Sequence, residues 1–107
     1  MEPDTQLLQE LVRRIVTAVH PLRIILFGSA ARGEMGPDSD LDVLVVMPDG
    51  VHRRQTAQQI RRHLMGIGFA KDIVVVTESD ITEYGANPYL IIKPAMAEGR
   101  ELYHAAP

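Results

Sequence analysis

"LFGSAARGEMGPDSDLDVLVV", residues 26–46, decides how this chain is read. An apolar run meets Gly28-Ser29, a polar loop follows, and a second apolar run opens on Asp40 and Asp42. Carboxylates at the mouth of a buried strand are costly unless something positive sits between them. Side chains two apart in a strand share a face, so Asp40 and Asp42 point the same way, with Cα atoms about 6.5–7 Å apart. Two carboxylates at that spacing converge on hard cations, and an oxygen-only donor set favours Mg²⁺ or Mn²⁺ over zinc. Asp72 opens a later apolar run, "KDIVVVT", in the analogous position. If the two strands are neighbours in register, three carboxylates meet at one end of the sheet. A pair of divalent ions about 3.5–4 Å apart would be held there, as in two-metal phosphoryl transfer.

Gly28-Ser29 supplies the other half. A strand, then Gly-Ser, then the helix formers Ala30-Ala31-Arg32 leave backbone N–H groups and a hydroxyl facing outward, a cradle for phosphate. Gly28 lets the backbone approach a ligand closely, and Arg32 adds a charged fork. Gly33 to Pro37 form a turn back to Asp40. Competing motifs fail on residues. A P-loop needs Lys and Ser or Thr after its second glycine, where this chain has Glu34 and Met35. A dinucleotide fingerprint needs a third, correctly spaced glycine that "GSAARG" lacks. A calcium loop needs glycine where Val43 stands and glutamate where Asp49 stands. The plainer reading makes Asp38, Ser39 and Asp40 turn residues and Asp42 a strand-edge polar residue. The Gly-Ser ahead of them and Asp72 behind them favour a site instead.

The 107 residues read as one domain, 1–107, long enough to bury a real core. Apolar residues make up 46% and charged residues 23%, ordinary for a soluble globular protein. A net charge of −3 disfavours bulk binding of nucleic acid. The absence of cysteine excludes disulfides, thiolate zinc sites and cysteine nucleophiles. The N-terminus does not read as a signal peptide, and no apolar run approaches the ~20 residues of a membrane span. These features predict a cytoplasmic chain without membrane contact.

Leu8, Leu11, Val12, Ile15 and Val19 recur at helical spacing, with Asp4 or Thr5 as cap and His20-Pro21 as stop. Strands are predicted over Leu22–Phe27, Asp40–Val46 and Phe69–Thr77, each apolar on both faces and so inside a sheet covered on two sides. Ala57, Ile60 and Leu64 mark one face of a helix of about four turns that Gly66 and Gly68 end. Ser79 caps a single turn ended by Gly85. Asn87-Pro88 opens a short helix, Pro94 interrupts it and Gly99 stops it. Leu102 and Tyr103 form a last edge strand. The pattern α-β-β-α-β-α predicts a two- or three-layer α/β domain. Arg53, Arg54, Arg61 and Arg62 flank the second helix; a solvated face is the simpler reading and a dock for an acidic partner the functional one. Tyr84 and Tyr89 can stack on a base or fill the sheet's edge. Leu90, Ile91 and Ile92 belong to the core or to a partner interface. His20, His52, His63 and His104 show no ligand spacing.

"GSAARGEMGPDSDLDVLVV", with Gly-Ser followed after ten residues by D-x-D, resembles the signature of DNA-polymerase-β-like nucleotidyltransferases. The "GSxARG…SDxD" wording and the small size are similar to the minimal nucleotidyltransferases that accompany a helical HEPN partner in prokaryotic toxin–antitoxin pairs. The resemblance runs from about Leu22 to Val76, and "EGRELY" shares its flavour. It implies an α/β (α+β) nucleotidyltransferase fold: a small mixed sheet with helices packed on it. It further implies that Gly28 and Ser29 hold the triphosphate and that Asp40 and Asp42 bind two Mg²⁺ ions. Asp72 would bind the catalytic metal and help deprotonate the incoming hydroxyl. The implied reaction transfers AMP or another NMP from ATP to a hydroxyl, with a HEPN-type toxin protein as acceptor and the chain as antitoxin. Larger relatives carry further acceptor-binding domains, so the acceptor site is expected from another subunit. The alternatives are a non-catalytic antitoxin of the same fold and transfer to a small molecule such as an aminoglycoside.

Overall fold

The computed structural model describes residues 4–34, 40–68, 71–84 and 97–106. Met35 to Ser39, Phe69, Gly85, Asn87 to Ile92 and Pro94 lie outside them, as does the side chain of Tyr84. The turn, strand start and short helix expected at those positions are therefore not described.

Helix α1 spans Thr5–Val19. The Asp4 carboxylate accepts from the N–H of Gln6 at 2.8 Å and of Leu7 at 3.4 Å, which satisfies two of the orphan donors of the first turn. His20 ends the helix in the left-handed region at φ 48°, its N–H donating to the Val16 carbonyl. Strand β1 is Arg23–Phe27 and the single-turn α2 is Gly28–Ala31. Strand β2 is Leu41–Met47, α3 is Arg53–His63, and β3 is Lys71–Thr77. Helix α4, Glu78–Tyr84, and strand β4, Arg100–His104, follow.

The sheet order is β3-β2-β1-β4. β1 is antiparallel to β2 and β4, while β2 and β3 are parallel, so the sheet is mixed as expected. The parallel pair needs a crossover, and α3 provides it. One face of the sheet carries Ile24, Leu26, Leu41, Val43, Val45, Ile73 and Val75, sealed by Leu8, Leu11 and Ile15 of α1 and Ala57 and Ile60 of α3. The other carries Ile25, Phe27, Leu44, Val46 and Val76, with Ile81 of α4 against it.

Three local differences from the sequence reading have physical causes. β3 borders the described sheet instead of lying inside it; its run of valines is accounted for by two covered faces, which set no limit on the number of neighbouring strands. α4 is capped by Thr77 rather than Ser79: the Asp80 N–H donates to Thr77 Oγ1 at 3.3 Å and the Thr77 N–H to Asp80 Oδ2 at 2.9 Å, a reciprocal capping box. Ser79 is instead held by Asp49, whose carboxylate accepts from its N–H and its hydroxyl. α3 closes at His63, about three turns from its start, and Gly66 and Gly68 follow at φ 79° and 95°. In the β1–β4 pairing the register shifts between Ile24 and Ile25, skipping Leu102, and the adjacent Leu102 and Tyr103 both pack on the main core.

Candidate active site

The site is built where β1 ends and β2 and β3 begin. Register pairs Phe27 with Asp42 and Asp42 with Asp72, so one row across the sheet reads Asp72, Asp42, Phe27. Alternation places Asp42 on the face of Leu44 and Val46, and Asp72 on that of Val76. Asp40 precedes β2 by one residue. Asp42 is half-buried, while Asp40 and Asp72 are exposed. Burial pushes the Asp42 carboxyl above its ordinary range, and the neighbouring charges of Asp72 and then Asp40 push it further the same way. That is the electrostatic signature of a place for positive charge. The donor set is oxygen-only and suits Mg²⁺ or Mn²⁺. Among the described residues, however, no three carboxylate or imidazole side chains are drawn close enough to form a finished metal cage.

Gly28 follows directly on Phe27, at φ 71°. A Cβ built on it would overlap Oδ2 of Asp42 and stand 3.3 Å from its Cγ. The glycine thus makes room for a carboxylate of the same site, in addition to any ligand. Ser29 is half-exposed, and its carbonyl accepts from the Glu34 N–H at 2.9 Å. Ala30, 1% exposed, anchors α2 in the core and holds Gly28 and Ser29 at the surface. The Arg32 side chain is exposed and donates to Glu34 at 3.1 Å.

At the other end of β2 and β3, Arg53 donates to Asp80 through Nε at 2.8 Å and Nη2 at 2.6 Å, tying the start of α3 to α4. Sequence reading missed this pair, which joins residues 27 apart in the chain and leaves no local pattern. A cavity of about 470 Å³ lined by Leu22, Arg23, Val46, Ile81 and His104 opens at the opposite end of the sheet and takes in none of the aspartates. Among the described residues no helix is long and apolar enough to cross a membrane.

Comparison with known proteins bears on the fold and the family. A solved structure of a candidate nucleotidyltransferase from Sulfolobus solfataricus superimposes with a TM-score of 0.63 at 20% identity, covering 92% of this chain and 78% of that one. A chain from a crystal structure of a toxin–antitoxin with AMP-PNP gives a TM-score of 0.65 at 18% identity, covering 92% and 73%. At such identities the likeness is one of fold. In sequence, the bifunctional uridylyltransferase/uridylyl-removing enzyme of Burkholderia thailandensis is 40% identical over 52 residues, 49% of this chain; the match spans 6% of that much longer relative. The family model "Nucleotidyltransferase domain" matches residues 6–100, taking in the Gly-Ser turn and all three aspartates. This chain belongs to the nucleotidyltransferase domain family.

Proposed function

We propose that the chain transfers AMP, or another NMP, from ATP to a hydroxyl on a partner toxin protein, and so acts as an antitoxin. The observation that carries this reading is the paired register of Asp42 and Asp72 together with the Asp42 carboxylate set against Gly28, with Ser29 next in the chain. In the proposed mechanism Asp40, Asp42 and Asp72 hold two divalent ions, Mg²⁺ or Mn²⁺. Bound there, the ions supply charge neutralisation at the α-phosphate and at departing pyrophosphate. Ser29 and the amides beside it orient the triphosphate, and Arg32 turns from Glu34 toward it. Asp72 is itself exposed, on the strand that borders the described sheet, and it accepts the proton of the incoming hydroxyl. The acceptor oxygen forms a bond to the α-phosphorus as the bond to the bridging oxygen breaks, and pyrophosphate leaves with the electron pair. A protein acceptor brings its own positioning surface, so the reaction needs only one aligned hydroxyl. The toxin–antitoxin neighbour with its ATP analogue supports an adenine nucleotide and a toxin partner; a HEPN-type partner follows from the sequence resemblance.

The test mixes the chain, α-labelled ATP, Mg²⁺ and the protein encoded by the neighbouring gene. Label is expected on that protein, with mass added in units of AMP. Label found only on an aminoglycoside or a tRNA end overturns the protein acceptor. Neutralisation of the toxin without any transfer establishes the binding-only alternative.

A further inference from the structure

The outer face of α3 is electrostatically unlike the rest of the molecule. No Asp or Glu occurs between Asp49 and Asp72, although Arg53, Arg54, Arg61, Arg62 and Lys71 lie there, in a chain of net charge −3. Elsewhere arginines are matched to carboxylates: Arg13 and Arg14 share Glu10, Arg23 holds Glu101, Arg32 holds Glu34 and Arg53 holds Asp80. Arg54, Arg61 and Arg62 are exposed and make no side-chain hydrogen bond or ion pair with the described residues. Positions 54, 58, 61 and 62 fall on one side of a helix with 3.6 residues per turn, turned away from the buried Ile60. The stripe therefore reads Arg54, Gln58, Arg61, Arg62. Beyond its end stands Met65, 75% exposed and the one exposed large hydrophobic among the described residues.

Helix stability explains only part of this stripe. Arg61 and Arg62 lie in the last turn of α3, where cations complement the helix dipole. Arg54 lies in the first turn, where the dipole disfavours a cation and no acidic residue compensates it. Arg53, its neighbour, is accounted for by Asp80.

The geometry points to a docking surface for an acidic segment of a partner protein, carboxylates along Arg54, Arg61 and Arg62 and an apolar side chain on Met65. Arginine and methionine are both enriched in protein interfaces, and guanidinium forks match carboxylates in a bidentate way. A single-stranded nucleic acid fits less well, because the stripe Arg54, Gln58, Arg61, Arg62 has no aromatic ring for a base to stack on. The crossover from β2 to β3 runs α3 from the far end of the sheet back to Lys71, so Arg61, Arg62 and Met65 lie toward the end that carries Asp42 and Asp72. A partner on this stripe is thus carried toward the carboxylates. That last step rests on the proposed transfer reaction; the docking itself does not.

Fluorescence anisotropy at low salt tests it, with a short labelled helical peptide bearing a Glu stripe flanked by Leu, a matching Lys-stripe peptide, and a single-stranded RNA of similar charge. The acidic peptide is expected to bind the chain. Its binding should weaken about tenfold or more in R54E/R61E/R62E, survive largely in R54K/R61K/R62K, and fall with added salt. Unchanged melting of both variants excludes misfolding as the cause. No binding of the acidic peptide, or equal binding by the charge-reversed variant, overturns the proposal. Tighter binding of RNA that depends on the same arginines overturns it in favour of a nucleic-acid surface. None of these readouts requires nucleotidyl transfer, so failure of the docking and failure of the transfer reaction are separately visible.

Discussion

The Cβ that Gly28 lacks would occupy the space of the Asp42 carboxylate. The position therefore carries two independent demands: a left-handed backbone at φ 71° and room for a charged neighbour. Gly28→Ala is expected to cost about 1–2 kcal/mol from the backbone alone. A cycle of Gly28→Ala, Asp42→Ala and the double variant, read by urea unfolding, should show a coupling of about 0.5 kcal/mol or more. Simple additivity would mean that the carboxylate does not fill that space.

Asp42 also sets a direction for pH. Its carboxyl is raised by burial first, then by Asp72 and Asp40. An acid raised in the folded state contributes stability below the ordinary carboxylate range and loses it as pH rises through the raised value. In the presence of a chelator, Asp42→Asn should therefore melt higher than the parent at neutral pH, and the gain should fade below about pH 4. The double variant Asp40→Asn with Asp42→Asn should keep the fold and abolish transfer. Undiminished transfer by that variant would remove the two-metal reading.

Ser29→Ala should weaken ATP binding by about 1 kcal/mol, roughly fivefold, while leaving thermal stability unchanged. Calorimetry with and without Mg²⁺ measures both. Full-strength ATP binding by this variant would place the phosphate grip elsewhere.

Asp80 should behave in the opposite sense to Asp42. Arg53 beside it holds the Asp80 carboxyl below its usual range, aided by the Thr77 N–H and against the effect of burial. Stability from a depressed acid is present above the ordinary range and is lost as pH falls through the lowered value. Asp80→Asn should cost about 1–3 kcal/mol at neutral pH, and its deficit should narrow on acidification. Arg53→Ala leaves the capping box in place and should cost less. A deficit independent of pH would show that the ion pair contributes nothing to the fold.

What was legible in the sequence follows the range of each interaction. α1, with its Asp4 cap and its stop at His20, is specified within a few residues and reads directly. The facing of Asp42 and Asp72 was legible as a condition, because both open apolar runs that behave as adjacent strands, and the register meets that condition. The border position of β3 was not legible, since a valine-rich strand records which faces are covered but not how many strands flank it. The contact between Gly28 and Asp42 crosses from one strand to the next, and the bond from Arg53 to Asp80 joins two helices; neither leaves a local pattern. Ser79 was misread as a cap because Ser, Thr and Asp all favour such positions, and only geometry separates Thr77 from its neighbour.

β4 carries a consequence for how the chain acquires its structure. β2, α3 and β3 are consecutive, whereas β1 receives β4 only through long-range pairing that runs from Arg23 with His104 to Leu26 with Arg100. Contacts so far apart in sequence form late, because loop closure is entropically costly. Until Arg100 to His104 arrive, one side of β1 presents unpaired N–H and C=O groups beside Ile24, Ile25, Leu26 and Phe27, a template for other nascent strands. Lesions in β4 should therefore appear first as slow refolding and self-association, with the aspartates on β2 and β3 chemically unaltered.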